Sequence, residues 1–339
     1  MQSYHFQMGK GLDGIRLREH AVPRPGPGEV LLRMRAAALN YRELMILQQG
    51  RYPLPVKPDV IGLCDGAGEV VEVGAGVSRV APGERVLASI FPFWQDGPFT
   101  AEVSPQLGGS LDGLLTEFAL LPEQALLPVP AHLSWEEAAC LPCAGVTAWH
   151  ALQGGRPLQP GEDVLLLGSG GVSLFALQIA KTAGARVIVT TSSPAKAERL
   201  RALGADAVID YRTTPEWAEA VRALTGGRGV QQVVEVGGAT LAQSLRAVAL
   251  GGEIALIGGV AQGPASIDVG AIFAAGAQVR TIAAGHRAHL AGLLRMFAHH
   301  GLRPLIDRVF DFAEAPAAFA YYAQYSQSQA MGKVIIRMP

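Results

Sequence analysis

The apolar positions of residues 29–121 fall in short runs cut by glycine and proline: Glu29 to Arg35, Gly66 to Val73, Arg85 to Ser89 and Leu115 to Leu121. Runs of this length between turn formers predict strands, and their succession predicts a small β-rich barrel or sandwich. Pro23, Pro25 and Pro27 hold the chain extended as it enters the first of them. From about residue 135 the pattern changes to apolar strands alternating with amphipathic helices, the sequence form of βαβ units and a parallel sheet.

Val164 to Leu167 reads as a strand. Gly171 to Thr182 follows as a helix with Val172, Phe175, Ile179 and Ala183 on one face until Gly184 stops it. After a strand at Arg186 to Thr190, Ser193-Pro194 supplies an N-cap and a proline at the first helical position, and the helix runs to Leu203 with Gly204 as its stop. Thr214-Pro215 repeats that device. Ala207 to Asp210, Gln232 to Val236, Glu253 to Ile257 and Val279 to Ala283 complete six strands, with a helix at Leu241 to Ala249 among the connections.

Beyond His286 come a helix to about His300, a strand at Arg308 to Phe312, a helix at Ala315 to Tyr325 and a strand at Lys333 to Arg337. These break the alternation and are expected to return to the first domain. The expected organisation is therefore a β-rich domain of residues 1–130 and 287–339 with an α/β domain, 131–286, inserted in it. A chain of 339 residues is long enough for two full cores.

Composition narrows the function more by exclusion than by assignment. A net charge of −1 and the lack of a long Lys/Arg run exclude an electrostatic footprint for nucleic acid or anionic lipid, leaving a small molecule as the expected partner. No apolar run reaches a bilayer span, and Met1 to Lys10 is too polar for a secretory leader, so the chain reads as cytoplasmic and not membrane-bound. Three cysteines, Cys64, Cys140 and Cys143, do not make a disulfide framework and suit a reducing compartment.

The strand at Val164 runs into Gly168-Ser169-Gly170-Gly171-Val172-Ser173 and then a helix. Gly168 permits a tight turn, Gly170 lets the backbone approach a pyrophosphate, and the helix N-terminus offers unpaired N–H groups and a positive dipole end. With six strands around it, this turn predicts a Rossmann-type, doubly wound dinucleotide domain, although Ser173 replaces the usual third glycine. Val236-Gly237-Gly238 and Ile257-Gly258-Gly259 end two later strands and are expected along the same cofactor edge.

An NAD enzyme is expected to carry an acid about 20 residues after the turn to grip the ribose 2′-hydroxyl. Here that stretch reads Thr190-Thr191-Ser192-Ser193, with Lys196 nearby. Hydroxyls and a cation suit a 2′-phosphate, so NADP(H) is favoured over NAD(H). Read structurally, Ser193 is an N-cap and Lys196 a solvated helix charge.

Several separated motifs then carry a resemblance. They are Pro25-Gly26-Pro27-Gly28-Glu29-Val30-Leu31, Ala37-Ala38-Leu39-Asn40-Tyr41-Arg42-Glu43, Asp65-Gly66-Ala67-Gly68-Glu69-Val70-Val71, Pro82-Gly83-Glu84-Arg85-Val86, Leu141-Pro142-Cys143-Ala144-Gly145-Val146-Thr147-Ala148, and the Gly168 turn. Over essentially its whole length the chain resembles the medium-chain dehydrogenase/reductase superfamily, and within it the zinc-independent quinone oxidoreductase-like, alcohol dehydrogenase-like branch. The resemblance implies a GroES-like catalytic domain built from both chain ends, an inserted Rossmann domain and an active site in the cleft between them. It also implies hydride transfer between NAD(P)H and an alcohol, carbonyl or enone, and pairing into a homodimer.

The resemblance places the three catalytic zinc positions of metal-dependent relatives on Asn40, Cys64 and Cys143, with Asp65 where a carboxylate stands beside the metal. An amide oxygen is a weak zinc ligand, so no catalytic zinc is expected; the alternative is a two-sulfur, one-oxygen site of Cys64, Asp65 and Cys143. Without a metal the substrate oxygen needs hydrogen-bond donors and a proton source. Tyr41 is the expected acid, Asn40 the group that orients the carbonyl, and Thr147 the expected neighbour of the nicotinamide ring.

Rival readings attach to other residues. Cys140-Leu141-Pro142-Cys143 is a CxxC motif, and His286 with His289 has a metal-ligand spacing, but each lacks the flanking pattern its chemistry needs. Phe91, Phe93, Trp94 and Phe99 form an aromatic loop suited either to covering an apolar substrate or to packing. A catalytically silent NADPH-binding protein on the same fold is the alternative of a different class.

Overall fold

The structure, a computed structural model, describes residues 1–50, 52–258, 268–325 and 328–339. Gly259 therefore lies outside the described residues. The chain divides into two compact units, one of residues 1–146 and 285–339 and the other of 147–284.

The first unit begins with β1 (Gln2–Phe6), β2 (Ile15–Glu19) and β3 (Glu29–Ala38), then a one-turn helix α1 (Tyr41–Leu44). β4 (Val60–Ile61), β5 (Asp65–Val73), β6 (Arg85–Ala88), β7 (Phe118–Pro122), β8 (Leu126–Pro128) and α2 (Trp135–Ala139) follow. β2, β1 and β4 form a three-stranded sheet. Sequence periodicity missed β1 because it is only five residues long and both of its faces are buried, Ser3 and His5 on one and Tyr4 and Phe6 on the other.

In the second unit α3 (Val146–Gln153) leads to β9 (Asp163–Leu167), α4 (Gly171–Thr182), β10 (Arg186–Thr191), α5 (Pro194–Ala202) and β11 (Ala207–Asp210). α6 (Trp217–Leu224), β12 (Val230–Glu235), α7 (Leu241–Ala247), β13 (Val248–Leu256), α8 (Val269–Ala275) and β14 (Gln278–Thr281) complete it. Its six strands are parallel in the order β11-β10-β9-β12-β13-β14. This is the doubly wound order, with the first strand of the set at its centre. Leu165, Ile188, Val233 and Ile254 fill one face of the sheet together with Trp217 and Leu245 from the helices.

The last segment, α9 (Arg287–His300), β15 (Ile306–Asp311), α10 (Ala315–Ala323) and β16 (Lys333–Arg337), belongs to the first unit. β16 pairs antiparallel with β3, and the large sheet runs β15-β16-β3-β5-β6-β8 with β7 also on β3. The GroES-like β-rich domain is thus built from both chain ends, with the α/β unit inserted.

Three local expectations are corrected. Residues 131–146, assigned by pattern to the inserted domain, sit in the first unit because α2 packs on β3, β5 and β16. The helix expected over Leu241 to Ala249 stops at Ala247, and Val248 and Ala249 already belong to β13, which turns at Gly251 with φ +74°. No helix starts at Thr214-Pro215; α6 begins at Trp217 with Glu216 as its N-cap residue. Among the described residues no helix is long and apolar enough to cross a membrane.

Candidate functional site

β9 ends on Gly168, whose φ of +74° only glycine adopts without strain, and Gly170 precedes α4 in an extended conformation. A Cβ added at Gly170 would meet nothing within 4 Å, so internal packing does not explain a glycine there. A ligand approaching the backbone does explain it. Ser169 stands between these glycines, and Gly171 and Val172 open the helix whose first N–H groups face out along its axis. Ser173 resolves its own anomaly: its buried hydroxyl donates to Leu167 O at 2.7 Å, tying the helix to the strand end where a third glycine would merely permit contact.

At the end of β10 the Thr190 hydroxyl accepts from Gly168 N at 3.2 Å, and the buried Thr191 Oγ1 has no hydrogen-bond partner. Ser193 caps α5 by accepting from Lys196 N at 3.4 Å, so the structural reading of Ser193 holds as far as this bond goes. Lys196 is 6% exposed, which corrects the expectation of a solvated charge. Ser192 is half-buried between them. The parallel register sets Thr191 beside Asp210, and Tyr211 N donates to Thr191 O at 3.0 Å. Tyr211 and Arg212 therefore reach the same strand edge, a juxtaposition that reading forward from the turn could not reveal.

The next loop is organised by a buried acid. Glu235 accepts from Gly237 N at 2.8 Å, Gly238 N at 3.0 Å, the Thr240 hydroxyl at 2.7 Å and the Ser244 hydroxyl at 2.5 Å. The Gly237 and Gly238 amides are thus committed to Glu235, so a cofactor contact at Val236 and Gly237 would run through carbonyls and van der Waals surface. Ile257 N donates to Glu235 O, and Gly258 follows at φ +141° with open space where a Cβ would stand.

The first unit gathers a second cluster. Asn40 follows β3, Cys64 immediately precedes β5 and Asp65 begins it, Cys143 rides on a wide π turn (Leu141–Gly145) between α2 and α3, and Lys333 opens β16. Such turns insert an extra residue into a helix and recur at functional sites. Ligand atoms of Cys64, Asp65 and Cys143 lie within 4.8 Å of one another. Asn40 Nδ2 donates to Asp65 Oδ2 at 2.9 Å and to Cys64 Sγ at 3.7 Å, while Asn40 Oδ1 accepts from Lys333 Nζ at 2.5 Å. Lys333 also donates to Leu39 O at 2.7 Å and to Asp65 Oδ2 at 3.3 Å. The Cys64 thiol donates to Glu43 Oε1 at 3.6 Å, and Arg42 pairs with the same oxygen at 3.0 Å.

Burial sets the electrostatics here. It pushes the Asp65 carboxyl up to about 6 although Lys333 and Asn40 pull the other way, and Asp65 Oδ1 is buried without a partner. Burial and the neighbouring Cys143 push the Cys64 thiol well up. For Lys333 burial alone would lower the ammonium, but the buried Asp65 carboxylate, with Glu43 beyond it, outweighs that and holds it raised.

This donor set is a poor fit for catalytic zinc, which takes thiolate sulfurs at about 2.3 Å and carboxylate oxygens at about 2.0–2.2 Å. Asn40 turns N–H rather than oxygen toward Cys64, and Cys64 is held as a thiol, so of these three residues only Asp65, through its unpartnered Oδ1, offers a ready ligand atom. Asn40 also has both ends of its carboxamide engaged inside the protein.

The remaining residues distribute unevenly. Tyr41 begins α1, and its hydroxyl accepts from Gln49 Nε2 at 3.5 Å. Thr147 is buried on α3 and opens the second unit. Cys140 donates to Glu136 O, and burial pushes its thiol up, against a reactive CxxC pair. His286 caps α9 by accepting from His289 N at 3.0 Å, so this pair serves the helix end. Phe91, Trp94 and Phe99 pack on one another at 4.8–5.8 Å, and of these four aromatics Phe93 is the exposed one. Sequence reading missed Lys333 altogether; its only signal was a cation leading an otherwise apolar strand, 293 residues from Asn40.

Residues 26–131 match the family model described as an alcohol dehydrogenase GroES-like domain, and residues 171–299 the model described as a zinc-binding dehydrogenase. A zinc-type alcohol dehydrogenase-like protein of Schizosaccharomyces pombe is 40% identical, over 97% of this chain and 96% of its own length. The crystal structure of an NAD-dependent alcohol dehydrogenase superposes with a TM-score of 0.89 at 32% identity, covering 100% of both chains. A mycobacterial protein complexed with NADPH superposes with a TM-score of 0.82 at 28% identity, covering 99% of each chain.

Proposed function

Because the chain belongs to the medium-chain dehydrogenase/reductase superfamily, we propose that it is an NADP(H)-dependent oxidoreductase acting without catalytic zinc on a small enone, quinone or carbonyl. The observation that carries this reading is the glycine turn at the N-terminus of α4, next to a β10 end that bears Thr190 and Thr191, with Lys196 following on α5 and no carboxylate in the chain between them. The pyrophosphate would lie on Gly168, Ser169, Gly170, Gly171 and Val172, and the 2′-phosphate toward Thr191, Ser192, Ser193 and Lys196. Relatives do not settle the cofactor, since one similar structure is named NAD-dependent and another holds NADPH.

The bound dinucleotide supplies the hydride. The chain's own residues must hold it, position the acceptor and deliver a proton. Hydride addition to an enone or quinone leaves a delocalised enolate or phenolate, whereas reduction of a simple ketone leaves a localised alkoxide. The former needs far less stabilisation at oxygen, so a site without a Lewis acid favours conjugated acceptors over simple alcohols. Tyr41 remains the proposed proton donor and Thr147 the proposed neighbour of the nicotinamide ring.

Fluorescence titration with both dinucleotides, followed by an NADPH-oxidation assay on quinones, enones, aldehydes and alcohols, tests the reading. We expect NADPH to bind at least tenfold tighter than NADH, turnover to favour conjugated acceptors, and Tyr41→Phe to lose at least tenfold in kcat. Equal affinity for NADH would end the cofactor assignment, and tight binding without turnover would favour a silent binding protein.

A further inference from the structure

We propose that Lys333 is the resident cation of the Asn40, Cys64, Asp65 and Cys143 cluster: its ammonium supplies the positive charge that a metal ion supplies in zinc-dependent members, and it keeps a metal out. The inference rests on the zinc-free reading above and names the residue that enforces it.

The ammonium has three hydrogens and three oxygen neighbours: Leu39 O at 2.7 Å, Asn40 Oδ1 at 2.5 Å and Asp65 Oδ2 at 3.3 Å. Lys333 is 4% exposed and Asp65 fully buried, so the charge acts with little solvent screening. Its backbone position is built in. Gly332, at φ +125°, passes so close to β15 that a Cβ there would stand 2.6 Å from Leu305 O, and Lys333 N donates to the same oxygen at 2.8 Å.

Charge balance completes the argument. Lys333 pairs with Asp65, and the buried Arg42 pairs with the buried Glu43, whose carboxylate also accepts from the Cys64 thiol. Two carboxylates, Asp65 and Glu43, are matched by two cations, Lys333 and Arg42, so neither carboxylate is left uncompensated to attract a dication. A metal entering beside Cys64 would have to displace thiol protons within a few ångströms of a fixed ammonium. Lys333 acts as a positioning residue as well. By holding Asn40 Oδ1 it turns the amide N–H groups toward Asp65 and Cys64, so it determines which end of the carboxamide faces the sulfurs.

The test is anaerobic titration of the whole protein with Co²⁺, followed by its thiolate charge-transfer absorbance, in wild type, Lys333→Met and Lys333→Met combined with Cys64→Ser. We expect no stoichiometric band in wild type, a gain of at least tenfold in Co²⁺ affinity in Lys333→Met, and loss of that band in the double variant. Lys333→Gln, which keeps a polar head without charge, serves the same comparison should the methionine variant fail to fold. Stoichiometric Co²⁺ on the wild-type sulfurs would overturn the zinc-free reading and this inference together. Weak binding in wild type with no gain on removing Lys333 would overturn the role of Lys333 alone.

Discussion

At the residue scale the two glycines of the nucleotide turn have different reasons to be glycine. Gly168 needs its positive φ, whereas Gly170 has backbone angles any residue adopts and open space around its absent side chain. Gly170→Ala should therefore leave the denaturation midpoint unchanged within about 0.5 kcal/mol while weakening NADPH binding at least tenfold. Calorimetric unfolding and a fluorescence titration on the same sample check both halves, and unchanged NADPH affinity would remove the turn from the binding site. Ser173 shows the limit of a glycine pattern read as text: the position is filled by a hydroxyl that bonds the strand end, a solution invisible until helix and strand are placed together.

At the scale of elements, periodicity found the strands and helices whose two faces differ and misplaced those whose faces do not. β1 is buried on both faces, Ser3 and His5 on one and Tyr4 and Phe6 on the other, and was passed over, while Cys143 proved to sit on a π turn that Cys140 precedes. The start of α9 yields a pH dependence. Burial holds the His286 imidazole below its ordinary 6.5, with Asp96 opposing, and its Nδ1 accepts from His289 N. The folded chain therefore binds this proton more weakly than the unfolded chain. The contribution is complete above pH 6.5 and is lost as pH falls below it, when protonation places a hydrogen on Nδ1 and removes the acceptor. Urea unfolding should show about 1 kcal/mol less cap stabilisation at pH 5.5 than at pH 7.5. His286→Asn, which caps without titrating, should flatten that difference; an unchanged difference would place the pH dependence elsewhere.

At the scale of the molecule, α8 carries apolar surface that the described residues leave exposed. Its inner residues Ala271, Ile272 and Ala275 pack on the second unit's core, but Phe273 and Val269 are 90% and 77% exposed, and Leu250 beside Gly276 is 83% exposed. A patch of this kind at the edge of a sheet that ends on β14 supports the proposed homodimer. Sedimentation velocity should find a dimer in the wild type and a monomer in Phe273→Asp with its fold retained. A wild-type monomer at micromolar concentration would exclude pairing through this face.

The sequence by itself determined the six parallel strands, the glycine turn on α4, the return of the chain end to the first domain and the lack of an acid after β10, because each follows from local periods, turn chemistry and short spacings. Tertiary structure decided that Lys333 neutralises Asp65 and that it takes the carboxamide oxygen of Asn40. Those contacts depend on which strand lies beside which and on the depth at which each charge is buried. Residues hundreds of positions apart carry no mark of that in their order along the chain.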